Sequence, residues 1–242
     1  MTWRGRTVLA VVPARGGSKG IPRKNLCQVA GRSLVAHAAQ LAGKLSWLDA
    51  AVLSTDDAAI AEEGRRYGLA VPFLRPAELS GDAARGVDAW RHAWLASETE
   101  YGCRFDCSIL LQPTSPLRTI ADVERTLETM LATGHSAAAT ISPVPGHYVP
   151  QKLLTMADGV LSFLHPDGAL HSNRQSAPIC YARNGLCYAA MREAVVDRRE
   201  IVERDCAGVL IDGYVANIDE PIDLRIAEML ARDGFGNDRN AP

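Results

Sequence analysis

The run Pro13-Ala-Arg-Gly-Gly-Ser-Lys-Gly-Ile-Pro-Arg-Lys-Asn25 sets four cations, Arg15, Lys19, Arg23 and Lys24, into a turn rich in glycine. Glycine lets backbone N–H groups come close to an anion, and the long side chains add charge. Polyphosphate is the natural guest of such a loop. The spacing is not that of a Walker A loop, because Gly-Ser-Lys-Gly leads into Ile21-Pro22 and not into a Gly-Lys-Ser/Thr helix start. Nor is it a dinucleotide fingerprint, since the G-x-G-x-x-G spacing is missing. Composition alone also allows an exposed basic loop without a ligand. A second stiff segment, Leu111-Gln-Pro-Thr-Ser-Pro-Leu-Arg118, is fixed by two prolines whatever it binds. Asp219, two residues ahead of Pro221, reads locally as a helix-start residue.

Alternating strands and helices must hold these loops. Residues 7–13 form an apolar, valine-rich run suited to a strand buried on both faces. Helices are predicted over residues 33–45, 57–67, 86–95, 119–133, 192–196 and 221–232, and further strands over 50–54, 70–74, 108–112, 136–141, 186–190 and 213–218. Thr119 and Asp122 have the spacing of a capped helix start, and Pro221 suits a first helical turn. Trp90 and Trp94, four residues apart, read as core. Between residues 143 and 185 the pattern breaks into prolines, glycines and short apolar pieces, an excursion from the main sheet. The expectation is one α/β unit over residues 1–242, an open, mostly parallel three-layer sheet with ligands at the carboxyl ends of its strands.

The 242 residues carry 26 basic and 28 acidic side chains, so the net charge of -2 gives no general pull toward nucleic acid or an anionic membrane. Any anion site must be local. The first residues lack the layout of a secretory signal, and no stretch approaches a membrane span. Six scattered cysteines with no CxxC pair predict reduced thiols in a cytoplasm, with Cys103 and Cys107 read as ordinary thiols and not as half of a metal site.

Residues 12–26 resemble the signature of the acylneuraminate (CMP-sialic acid) cytidylyltransferases, and the likeness runs from residue 8 to residue 230. It implies a Rossmann-like fold of the nucleotide-diphospho-sugar transferase type. It also implies that main chain at Ala14 and Arg15 reads cytosine while Arg15, Ser18, Lys19, Lys24 and Asn25 surround the triphosphate. Residues 53–63 resemble the family's second strand and helix. Arg75-Pro-Ala-Glu-Leu79 with Asp82 resembles its nucleotide-side loop, which puts Arg75 near CTP; Gly86 stands where some members have a hydroxyl residue. The loop after residue 110 would turn Gln112, with Thr114 and Arg118, toward the sugar acid. Lys152, Arg174, Asn184 and Tyr188 align with positions near the sugar, and a guanidinium such as Arg174 matches a planar carboxylate. Ala182-Arg183 replaces the family's Arg-Pro before Asn-Gly, and the excursion at 143–185 is expected to build a homodimer.

Asn217-Ile-Asp219 resembles the family's Asp-Ile-Asp magnesium segment, with Asn217 in place of the first aspartate. The resemblance implies Mg2+ at Asp219, with Asn217 contributing through water. The implied reaction joins CMP from CTP to the anomeric hydroxyl of a nonulosonate, with release of pyrophosphate and with Arg15, Lys24 and Asp219 as the catalytic set. Two alternatives stay open: a Kdo cytidylyltransferase, and a CTP-binding homologue without turnover, suggested by Asn217 and Gly86.

Overall fold

The computed structural model describes residues 3–170 and 178–234. Strand β1 (Val8–Pro13) lies between β4 (Ala50–Ser54) and β5 (Cys107–Leu110), parallel to both. Two short strands, β2 (Gln28–Val29) and β3 (Arg32–Ser33), pair separately as a small hairpin. The sheet continues through β9 (Tyr181–Met191) to β6 (Ala137–Pro143) and β10 (Cys206–Leu210), giving the order β10-β6-β9-β5-β1-β4. Strand β9 is antiparallel to both of its neighbours, and the other five strands share one direction.

Side chains of a strand alternate between faces, and β1 divides its residues accordingly. Val8, Ala10 and Val12 pack with α1 (Leu34–Lys44), α2 (Ala58–Arg66) and α4 (Ile120–Thr133). Leu9 and Val11 pack on the opposite side with Trp90 and Trp94 of α3 (Gly86–Tyr101) and with Val195 in the π-helical turn Glu193–Arg198. The result is helix, sheet, helix. Trp90 satisfies its ring N–H by donating to Ser108 Oγ at 2.9 Å, so the tryptophans are core. Helix starts follow their local signals. Ser33 and Asp57 accept backbone N–H groups, Thr119 and Asp122 form a reciprocal capping box, and Pro221 opens α5 (Pro221–Arg232).

Two predicted strands are corrected. Residues 70–74 make only one parallel bridge, Ala70 to Val52, before the chain turns so that Arg75 can reach back to Ser54. Residues 213–218 form no strand, because Ala216 and Ile218 pack instead into a small third core with Leu34 and Ala227, and the Ile218 N–H donates to the Thr114 carbonyl at 2.8 Å. The sixth sheet strand is β10, a short Cys-Ala-Gly-Val-Leu run behind a charged stretch, with outward residues exposed. The helix expected near residues 192–196 is the π-helical turn.

Within the excursion, β7 (Leu154–Ala157) and β8 (Val160–Phe163) pair as a hairpin whose eight strand residues are all exposed. The six cysteines are free thiols, and burial pushes Cys107 and Cys187 up to about 12. Among the described residues no helix is long and apolar enough to cross a membrane.

Candidate active site

The carboxyl ends of β1 and β5 open into a cleft of about 540 Å³. Into it come Arg15, Ser18, Lys19, Lys24 and Asn25 from the loop after β1, Arg75 from the segment before α3, Gln112 and Thr114 from the loop after β5, and Asn217 and Asp219 from the approach to α5. Four segments far apart in sequence thus meet where an open α/β sheet places its ligands. Ala14 lies beneath, fully buried, its N–H donating to the Ser54 carbonyl at 2.9 Å.

The basic loop is pinned at its neck and at its far side. Asn25 Nδ2 donates to the Arg15 carbonyl at 2.9 Å, and the Gly16 N–H donates to Asp56 Oδ1 at 2.9 Å. Arg23, at φ 52°, turns the chain into the short 3-10 turn Lys24–Leu26. Lys24 is largely covered, and its Nζ donates to the Ile218 carbonyl at 2.8 Å and to Asp219 Oδ1 at 3.0 Å. At Gly20 a Cβ would stand 2.7 Å from the Asp219 carbonyl oxygen, so the close approach of the basic loop to the Asp219 segment requires glycine. Arg15 and Lys19 reach the other way, to the two oxygens of Asp82 at 3.1 and 2.6 Å. The hydrogen bond from Lys19 holds the Asp82 carboxyl below the usual carboxylate range. Arg75 is buried and donates from Nε to Ser54 Oγ at 3.0 Å and from Nη2 to the Ser54 carbonyl at 2.6 Å; burial lowers its pKa against the opposing pull of Asp56.

The wall after β5 is set by a buried cation. Arg118 donates from Nε to the Leu186 carbonyl, and from Nη2 to the carbonyls of Gln112 at 2.6 Å and Gly185 at 3.4 Å. Burial draws this guanidinium down to about 10. Arg118 therefore faces inward and braces the loop on β9, which corrects the expectation that it joins Gln112 and Thr114 toward a sugar. Gln112 lies over Gly185: a Cβ at that residue, whose φ is +76°, would come within 2.7 Å of Gln112 Oε1.

Not all of the expected site residues come together. Lys152 ends a 3-10 turn in the excursion and is absent from the cleft lining. Asn184 is buried and spends its side chain inside the sheet, Nδ2 donating to Ser142 Oγ at 3.0 Å and Oδ1 accepting from the Leu186 N–H at 3.2 Å. Tyr188 is buried in the core on the α3 side of the sheet, which raises its phenol pKa. Arg174 lies outside the described residues. The sequence reading missed Gly20 and Gly185, whose roles are visible only as close approaches across the fold, and gave Asp82 no role of its own.

The cytidylyltransferase family model matches residues 9–200. The chain belongs to that family. Among curated relatives, this cytidylyltransferase is 31% identical to the CMP-N,N'-diacetyllegionaminic acid synthase of Legionella pneumophila, over 92% of this chain and 95% of that one. It is 29% identical to the post-translational flagellin modification protein B of Campylobacter coli over 93% and 95%. It is 28% identical to the pseudaminic acid cytidylyltransferase of Campylobacter jejuni over 92% and 95%. Among solved structures, CMP:2-keto-3-deoxy-manno-octonic acid synthetase complexed with CTP matches with a TM-score of 0.68 at 18% identity, over 94% of this chain and 99% of that one. A 4-diphosphocytidyl-2C-methyl-D-erythritol synthase from Anaerococcus prevotii matches with a TM-score of 0.65 at 11% identity, over 95% and 97%. At these identities the structural matches speak for the fold, the nucleotidyltransferase architecture with its mostly parallel sheet.

The cytidylyltransferase offers a modest set of donors for a hard cation. Asp219 is largely exposed at the cleft, and its Oδ2 accepts from Asn217 Nδ2 at 2.7 Å. Asn217 Oδ1 is buried with no hydrogen-bond partner among the described residues. Asp223 spends Oδ2 on the N–H groups of Asp219 and Glu220. One carboxylate and one amide oxygen fit magnesium only if water and substrate phosphates complete the shell, which is a common arrangement for that ion. Among the described residues no group of three or more His, Cys, Asp or Glu side chains could hold a metal by itself.

Proposed function

We propose that this cytidylyltransferase transfers CMP from CTP to the anomeric hydroxyl of a nonulosonate, giving a CMP-sugar and pyrophosphate. The observation that carries the reading is the convergence of Arg15, Lys19, Lys24 and Asp219 on one cleft that Gln112 also lines. The names of relatives aligned over nearly the full chain, a legionaminate synthase and a pseudaminate cytidylyltransferase, supply the sugar class.

In this mechanism the cytosine sits over the main chain of Ala14 and Arg15, near the buried Arg75. Lys19 takes the β and γ phosphates, and Arg15 and Lys24 face the α-phosphate. The anomeric oxygen forms a bond to the α-phosphorus as the bond to the β-phosphate oxygen breaks in line, and the hydroxyl proton is released. The residues contribute alignment and neutralisation of developing negative charge. Lys24 is well suited because its Nζ is already held by the Ile218 carbonyl and reorganises little. Asp219, with Asn217, would hold Mg2+, which supplies Lewis-acid stabilisation of phosphate charge when bound. Gln112, kept in place by Gly185 below it, would meet the sugar acid, with Thr114 beside it; Lys152 and Arg174 stay with the proposed sugar side, whereas Asn184 and Tyr188 would act on it only from within the sheet.

The excursion supports a homodimer. In the register of its hairpin, Leu154 opposes Phe163 and Met156 opposes Leu161, so four apolar side chains share one exposed face. Such a face suits burial against a second copy, and an isolated two-stranded hairpin needs a partner surface for stability.

The reaction is tested by pyrophosphate release from each of the four nucleoside triphosphates with magnesium, against N-acetylneuraminate, legionaminate, pseudaminate, the deaminated nonulosonate and Kdo. Release with CTP and a nine-carbon acid is expected. Release with Kdo alone, or CTP binding without release across the panel, overturns the proposal.

A further inference from the structure

Three cations of the cleft, Arg15, Lys19 and Lys24, are already ion-paired in the free protein, and the pairing is uneven. Among the described residues Lys24 is the one cation on Asp219, whose other oxygen accepts from Asn217, whereas Arg15 and Lys19 share the single carboxylate of Asp82, one oxygen each. Arg15 also donates to the Ser80 carbonyl at 3.4 Å. Asp82 is carried by a short constrained segment. Arg75 anchors its start on Ser54, Ser80 Oγ donates to the Pro76 carbonyl at 3.1 Å, and the Ala84 N–H donates to the Gly81 carbonyl at 3.2 Å. Arg75 and Gly86, which bracket this segment, both line the cleft.

A carboxylate that gives one oxygen to each of two cations imitates an oxygen pair of a phosphate group. From this geometry we propose that Asp82 is a selectivity residue of the phosphate cradle: its carboxylate fills the anion position between Arg15 and Lys19, and the incoming nucleotide must displace it. The inference rests on the proposed binding of the CTP phosphates at Arg15 and Lys19. Its consequence is discrimination by charge. A monoanion gains little by replacing Asp82, while a tri- or tetra-anionic polyphosphate outcompetes it. When pyrophosphate leaves, the same carboxylate returns to the two cations.

The pairs are partly exposed, so the effect is moderate and sensitive to salt. The test is calorimetric titration of the full chain and of Asp82→Asn with CTP and, separately, with inorganic tripolyphosphate, at low and high ionic strength. Asp82→Asn is expected to bind both about three- to tenfold more tightly at low salt, with the gain shrinking at high salt. In turnover it should lower KM for CTP and tighten product inhibition by pyrophosphate without raising kcat. Unchanged or weaker binding by Asp82→Asn overturns the proposal. Arg15→Ala separates this failure from failure of the phosphate cradle itself. If Arg15→Ala leaves CTP affinity intact, the cradle reading falls. If Arg15→Ala weakens CTP binding while Asp82→Asn does not strengthen it, only the role of Asp82 falls. In the Arg15→Ala background the gain from Asp82→Asn should diminish, because the two residues act through one contact.

Discussion

The loops after β1 and β5 and the hairpin β7–β8 are all departures from the same sheet, yet they are held in opposite ways. Each cleft loop is tied by side chains both to its own backbone and to backbone elsewhere in the fold: Asn25 to Arg15 and Arg118 to Gln112 within the loops, Lys24 to Ile218 and Arg118 to Gly185 and Leu186 across it. The hairpin has its own ladder and a patterned apolar face, but all of its strand residues are exposed. A phosphate site needs donors fixed before the ligand arrives, and long-range ties provide that. An exposed apolar face acquires its burial only from another surface. The cleft loops are therefore held within one chain, whereas the hairpin leaves an apolar face exposed, as the proposed dimer would require.

The largest effect should come from breaking the cleft side. Asp219→Ala removes the ion partner of Lys24 and the proposed metal carboxylate, and is expected to lower turnover by about 100-fold or more; Lys24→Ala should match it within an order of magnitude. Pyrophosphate release in saturating CTP checks both, and normal turnover in either variant removes that residue from the catalytic set. Next is Arg118→Met, which keeps apolar volume but takes a donor from the carbonyls of Leu186, Gly185 and Gln112, the last of which keeps the Ser115 N–H, at an expected cost of about 3 kcal/mol read from urea unfolding. A near-neutral result would mean that the β5 loop holds its shape without its brace.

The hairpin sharpens the comparison from the other side. Replacing Met156 and Leu161 together by Ser should move the sedimentation profile from dimer toward monomer while the far-UV spectrum stays the same. An unchanged profile would show that this face does not mediate association. The smallest effect concerns acid stability away from the cleft. His135, and then the Ser136 N–H, hydrogen-bond Asp205 and hold its carboxyl down at about 2. A carboxyl with a depressed folded pKa stabilises above its unfolded pKa, and that stabilisation is lost as pH falls toward about 2. Wild type should therefore lose stability relative to Asp205→Asn between about pH 4 and pH 2, measured by thermal unfolding; parallel curves would refute it.

Much of this was legible without coordinates because it depends on local chemistry. The valine-rich β1, the Thr119–Asp122 cap, Pro221 at a first turn and the cation-dense loop are properties of neighbouring residues, and each declares its conformation or charge within a few positions. Where local pattern misled, a distant partner had overridden it. Residues 213–218 have a strand's apolar character, but Ile218 bonds to Thr114 and packs on α5. Arg118 sits in a motif that points to a ligand, yet its guanidinium is consumed by carbonyls of its own loop and of β9.

The sequence by itself determined the α/β alternation, the phosphate-suited loop and, through family resemblance, the class of reaction. Tertiary structure alone decided which of the candidate residues share a cleft, that Gly20 lets the basic loop touch the Asp219 segment, that Asn184 and Tyr188 are tied into the sheet, and that Asp82 bridges Arg15 and Lys19. The physical reason is range. Propensity, capping and charge density act over a few residues, whereas a carboxylate's choice of cation, or the space above a glycine, is set by chain segments tens to hundreds of residues away.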